Sequence, residues 1–94
     1  MALNSYRQFL TTRIPANNGA WTPISIPAGA IDATISLEDG TASFRVTADN
    51  TFLFTEGVFI AASGYYTFPG VCAQPVIVYV NPSVNTVAVL QIQS

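Results

Sequence analysis

The sequence predicts an all-β domain: an antiparallel β-sandwich or jelly-roll-like barrel of about eight short strands. Three observations carry this reading. Glycine and proline recur at short intervals, with Asn and Asp beside them, so the chain turns often. The stretches between are rich in Val, Ile, Thr, Phe and Tyr, which suit a pleated surface. No segment carries a helical apolar stripe over about ten positions or more. The 94 residues form one domain, 1–94, with no repeat, linker or low-complexity tract.

Residues 1–14 read as an extended N-terminal arm or first strand. Tyr6, Phe9, Leu10 and Arg13 fall at helical spacing, and Ser5 with Gln8 fits a capping box. However, Thr11, Thr12 and Ile14 are β-branched, and so short a helix is marginal in isolation. Ala16-Asn17-Asn18-Gly19 is a turn, because Asn-Gly supplies positive φ. Trp21 to Ile26 alternates, and Pro23 and Pro27 keep it at a sheet edge, each lacking a ladder donor. Pro27-Ala28-Gly29-Ala30 turns the chain again.

Ile31 to Glu38 has the cleanest alternation. Ile31, Ala33, Ile35 and Leu37 face one way, with Asp32, Thr34, Ser36 and Glu38 opposite. Asp39-Gly40 is a strong hairpin signal. Thr41 to Ala48 is its expected return strand, with Ala42, Phe44, Val46 and Ala48 inward. Gly40 would then sit at positive φ, where a β-branched replacement is strained. After the Asp49-Asn50 turn, Thr51–Thr55, Val58–Ala61 and Tyr65–Phe68 are short strand candidates, separated by Glu56-Gly57 and Ser63-Gly64. Pro75 to Val80 is apolar on both faces, so both should be covered. Thr86 to Ile92 is expected to return antiparallel to it beyond Asn81-Pro82-Ser83.

Composition narrows the function. Three arginines, no lysine and five acids give a net charge of −2. That leaves no basic footprint for nucleic acid. There is no histidine, the commonest general base and metal ligand. Cys72 is the lone cysteine, so it forms no internal disulfide, no metal site and no Cys–His pair. It reads as a small buried hydrophobe. Glu38 and Asp39 lie at the expected hairpin tip, Asp49 in a turn and Asp32 on an outward face. Solvated turn roles fit them better than acid–base work. We therefore expect no catalytic residues, no metal and no cofactor. No apolar run approaches a membrane span, and no apolar leader segment precedes Leu10.

A chain with 9 % charged residues keeps its surface soluble through Ser, Thr, Asn and Gln. Such a surface suits a protein packed against another. Trp21, Phe52, Phe54, Phe59, Tyr65, Tyr66 and Phe68 exceed what so small a core requires. Phe52 and Phe54 share a face, whereas Tyr65 and Tyr66 point opposite ways. The candidate interface residues are Tyr6, Arg7, Phe9, Trp21, Phe52, Phe54, Tyr65 and Tyr66. Trp21, Tyr65 and Tyr66 could alternatively be stacking platforms of a small carbohydrate-binding module. Arg45, mid-strand on a polar face, is expected to pair with Asp32, Asp49 or Glu56.

The order of several motifs also carries a resemblance. Ala33-Thr34-Ile35-Ser36-Leu37-Glu38-Asp39-Gly40 is followed by Arg45-Val46-Thr47-Ala48-Asp49-Asn50-Thr51. Glu56-Gly57-Val58-Phe59-Ile60 and Tyr65-Tyr66-Thr67-Phe68-Pro69-Gly70 come next, then Pro75 to Val80 and Ala88 to Ile92. With the opening Ala2 to Arg7, Trp21 and Pro27 to Ala30, this pattern resembles small β-sandwich virion proteins of tailed bacteriophages, of the capsid decoration or cement type. It covers about two thirds of the chain and departs from the family at Asp49-Asn50-Thr51, which lacks the usual Gly-Thr-x-Pro run. The resemblance implies a non-enzymatic structural protein on the capsid surface, present in the host cytoplasm during assembly. It implies the major capsid protein as partner and a homo-oligomer, a trimer by that station, with a tail, collar or fibre-associated station as the alternative. Neither nucleic acid nor membrane is an expected partner.

Overall fold

The computed structural model of the chain describes residues 9–69 and 74–93. It is all-β, with β1 (Phe9–Ala16), β2 (Thr22–Ile26), β3 (Asp32–Leu37) and β4 (Phe44–Thr47) in its first half. β5 (Val58–Ile60), β6 (Tyr66–Pro69), β7 (Val76–Pro82) and β8 (Thr86–Gln93) follow. Two four-stranded antiparallel sheets stack, one in the order β1-β8-β3-β6 and the other β2-β7-β4-β5.

That order is a jelly roll. Its ladders β1–β8, β2–β7, β3–β6 and β4–β5 are the rungs of one long hairpin folded over on itself. The β4–β5 connection is the tip of that hairpin, and it stays within one sheet. The β1–β2, β2–β3 and β3–β4 connections each pass from one sheet to the other.

The core lies between the sheets and is supplied by alternating positions. Ile24 and Ile26 of β2, Ala33 and Ile35 of β3, Phe44 and Val46 of β4, Val78 and Val80 of β7, and Ala88, Leu90 and Ile92 of β8 are buried. Inward alternation was legible for β2, β3 and β4. β1 spans Phe9–Ala16, so residues 9–14 of the expected arm or first strand are part of the sandwich. β2 is an edge strand, as Pro23 requires.

Four expectations are corrected. First, β3 and β4 are not a hairpin: they lie in different sheets. Alternation assigns a face to each residue but no partner, and facing strands of a sandwich alternate as adjacent ones do. The Asp39 carboxylate accepts from the Thr41 backbone N–H at 2.9 Å and its hydroxyl at 2.6 Å, and the Ala42 N–H reaches the Asp39 carbonyl at 3.1 Å. This turn needs no positive φ at Gly40, and Gly40 has none. Second, β7 and β8 also lie in different sheets. Third, Thr51–Thr55 is loop, because Asp49 and Glu56 wind it into successive turns. Fourth, the outward face of β7 is open, with Ile77 48 % exposed. Cys72 lies outside the described residues.

Gly57 is the glycine that the fold demands. Its φ is +91°, and a Cβ there would stand 2.7 Å from the Val46 carbonyl oxygen. At Gly40 the nearest atom is the Ser63 hydroxyl, at 3.8 Å. Gly57→Ala should therefore destabilise the protein by more than about 1 kcal/mol, and Gly40→Ala by less than about 0.5 kcal/mol. Urea unfolding of the two variants checks the contrast.

Candidate functional site

The outer faces of the two sheets differ in chemistry. On the first sheet, Thr11, Gln91, Thr34 and Thr67 form one cross-strand row of hydroxyls and an amide. Arg13, on the same face, is tied to Glu38 by its Nε and by an Nη2 hydrogen bond of 2.8 Å. On the second sheet, Asn81 of β7, Arg45 of β4 and Phe59 of β5 form a row. Trp21 stands one position beyond the Thr22–Val80 pair, beside Asn81.

The hairpin-tip loop between β4 and β5, residues 48–57, folds over this second face. Two side chains hold its backbone. Trp21 Nε1 donates to the Phe52 carbonyl at 2.8 Å, and Asn81 Nδ2 donates to the Phe54 carbonyl at 3.3 Å. The other end of the Asn81 amide accepts the Gly19 N–H at 2.9 Å, which joins the β1–β2 turn to the same point. Within the loop, the Asp49 carboxylate accepts from the Thr51 N–H and hydroxyl at 2.9 and 2.6 Å. The Glu56 carboxylate accepts the Leu53 N–H at 2.7 Å, and the Glu56 N–H returns to the Leu53 carbonyl at 2.9 Å.

A loop so tied presents apolar side chains outward. Phe52, Leu53, Phe54, Val58 and Phe59 are all exposed, Leu53 at 68 %. The Trp21 and Phe54 rings are 5.8 Å apart at 46°. The Arg45 guanidinium lies 5.1 Å above the Phe59 ring. Its Nη1 reaches the Gly57 carbonyl at 3.5 Å, so Arg45 stacks on an aromatic ring and makes none of the ion pairs expected of it with Asp32, Asp49 or Glu56. Val58 pairs with buried Val46 yet is 51 % exposed, because the sheets part at the short β5 and β6 edges. A cleft of about 330 Å³ opens there, lined by Val46, Phe52, Val58, Tyr66 and Val78.

The predicted interface residues divide accordingly. Trp21 and Phe54 pack together on the second sheet's outer side, where Trp21 also holds the Phe52 carbonyl, while Phe52 lines the cleft beside it. Tyr66 turns inward and packs against the core. Tyr65, 66 % exposed, lies over the outer face of the first sheet. Trp21, Tyr65 and Tyr66 therefore do not form one stacking platform. Phe9 opens β1, and Tyr6 and Arg7 lie outside the described residues. Sequence reasoning counted Phe59 among the surplus aromatics without naming it an interface residue, and missed Leu53 and Val58 as surface residues and Asn81 as the loop's anchor. The Asp49-x-Thr51 turn signature was the available signal for the loop; for Asn81, which acts across the fold, there was none.

Among the described residues, no group of His, Cys, Asp or Glu lies together in a way that could hold a metal ion. No helix is long and apolar enough to cross a membrane. Scans against protein-family models, curated proteins and solved structures each found no match.

Two predictions follow from the loop anchors. Asn81→Ala should cost about 1–3 kcal/mol, since Asn81 is buried and two backbone groups lose their partner. The fluorescence of Trp21, the one tryptophan, should report the freed loop, and thermal unfolding the loss. The second concerns acid. Hydrogen bonds from the Thr41 and Thr51 hydroxyls, then from their backbone N–H groups, hold the Asp39 and Asp49 carboxyls below the usual aspartate range. Lowered folded values contribute stability that is complete above about pH 4 and lost as pH falls through them. A profile of Tm against pH should lose part of its acid-side fall in the Asp39→Asn/Asp49→Asn variant.

Proposed function

We propose that this protein is a non-enzymatic structural subunit of a tailed-bacteriophage virion, a capsid decoration or cement protein that binds the assembled lattice and stabilises it. The observation that carries the proposal is the exposed apolar side chains of the hairpin-tip loop and β5: Leu53, Phe54 and Phe59, with Phe52 and Val58 at the mouth of the adjoining cleft. Three half-exposed phenylalanines alone present roughly 100 Å² each. With Leu53 the exposed apolar area reaches the few hundred Å² typical of an interaction site on a monomer. Its backbone is already fixed by Trp21 and Asn81, so little ordering opposes docking.

The resemblance to small phage virion proteins supplies the partner. The major capsid protein offers this surface only in its assembled lattice. A subunit that binds the lattice and not its parts stabilises it by mass action. Self-association, as a trimer in this reading, multiplies that binding through avidity. Among the described residues β1 pairs with β8 alone, and its other edge can add a neighbour's strand.

Quantitative mass spectrometry of gradient-purified particles tests the proposal. Hundreds of copies per particle are expected. About a dozen or fewer would move the protein to a tail, collar or fibre-associated station, and none would overturn a virion role. In a capsid-binding assay, Leu53→Asp should weaken binding by at least about tenfold while the Tm stays near wild type. Unchanged binding would remove the tip loop as the docking surface.

A further inference from the structure

The first sheet's outer face carries a trough of mixed polar and apolar lining that the docking surface leaves free, since the two occupy opposite sides of the sandwich. One recess of about 200 Å³ is lined chiefly by Thr34, Ser36, Asp39, Ser63, Tyr65 and Gln91. A second, of about 140 Å³, adjoins it and shares Thr34 and Gln91, with Asp32 and Gln93 at its far end. Together they make an elongated groove along β3 and β8, the two central strands.

Leu37, Ala42 and Ile92 form apolar parts of its lining, and its polar groups are neutral or acidic. Hydroxyls come from Thr34, Ser36 and Ser63, amides from Gln91 and Gln93, and carboxylates from Asp32 and Asp39. Arg13, the described cation of this face, is held by Glu38 in two hydrogen bonds. A groove with two acids and no uncommitted described cation disfavours anions. It suits a neutral ligand that both donates and accepts hydrogen bonds along its length. Tyr65 adds a broad apolar surface at one end and is 66 % exposed.

The segment that places Tyr65 is strained. Ser63 has φ +65°, the one positive value at a non-glycine position among the described residues. Its hydroxyl donates to the Gly40 carbonyl at 2.9 Å, which fixes the β5–β6 turn to the β3–β4 turn. The Gly64 N–H reaches the Ala61 carbonyl at 2.9 Å, and a Cβ on Gly64 would stand 2.8 Å from that oxygen. A tight turn thus brings an exposed aromatic ring to the rim of this groove. Strain of this sort persists where the surrounding structure enforces it, commonly beside a ligand.

We propose that this groove binds a neutral oligosaccharide. A sugar ring has an apolar C–H face, which stacks on Tyr65, and equatorial hydroxyls, which exchange hydrogen bonds with Gln91, Thr34, Ser36 and Asp39. The proposal does not rest on capsid docking. A glycan-binding face directed away from the lattice would also suit a protein bound through its opposite side.

The test is a glycan array of neutral, sialylated and sulfated oligosaccharides. It is followed by NMR titration of the full chain with the best neutral glycan at millimolar concentration. Shifts confined to Thr34, Ser36, Tyr65 and Gln91 are expected. Tyr65→Ala should weaken binding by about tenfold or more, whereas Tyr65→Phe, which keeps the ring, stays within about threefold. Gln91→Leu, at an exposed site, should also weaken it about tenfold, and Leu53→Asp should leave it unchanged. Three results would each overturn the proposal: no neutral glycan binding, binding of sulfated or sialylated glycans alone, or shifts at Phe54 and Phe59 instead. Loss of capsid binding with glycan binding intact would separate this site from the docking surface.

Discussion

Everything in this molecule depends on closing one layer of small apolar side chains between two sheets. Ile24, Ile35, Val78 and Val80 are almost wholly buried, and their neighbours on the same strands point outward. A chain of this length has no second core to fall back on. Each inward position is therefore committed, while each outward one is free to serve something else. The outward positions have diverged. One face gathers Thr11, Gln91, Thr34 and Thr67, and the other gathers Trp21, Arg45 and Phe59 beneath an apolar loop. A two-faced sandwich lets one side be covered without disturbing what the other presents.

Face was legible in the sequence; partner was not. The alternation through Ile31–Glu38 and Thr41–Ala48 placed Ala33, Ile35, Phe44 and Val46 in the core, where they are. The same alternation suits a hairpin and a pair of strands facing each other across a core. Asp39-Gly40 favoured the hairpin on local grounds. The Asp39–Thr41 hydrogen bonds instead make a turn that sends the chain to the other sheet. Pro23 did report an edge strand, because a missing donor constrains the fold whatever the partner is. β7 misled for a different reason. Its Val76, Val78 and Val80 serve the core, but Ile77 and Tyr79 face outward, so an apolar run need not be a doubly covered one.

The candidate site was legible in part. Low charge and surplus aromatics pointed to exposed apolar side chains, and Phe52, Phe54 and Phe59 are exposed. Trp21 joins them through a hydrogen bond to a residue 31 positions away, which no local pattern encodes. Asn81 is still less visible, since its two contacts reach Gly19 and Phe54 across separate turns. Tyr65 and Tyr66 illustrate the opposite case. Strand geometry alone requires adjacent residues to part, and they lie on opposite sides of the same sheet.

The rung joining β1 to β8 pairs Phe9 with Gln93, the most distant partners among the described residues. β8 also separates β1 from β3, so the first sheet has no centre until β8 is in place. The β4–β5 rung, by contrast, closes over a short loop. Loop-closure entropy thus orders the assembly from the tip outward. Closing of the core requires β8, whose Ala88, Leu90 and Ile92 complete the cover over the inward faces of β2, β4 and β7. The second sheet has all four of its strands by Pro82, so it can pair in full before the sheet that covers it has its central strand β8.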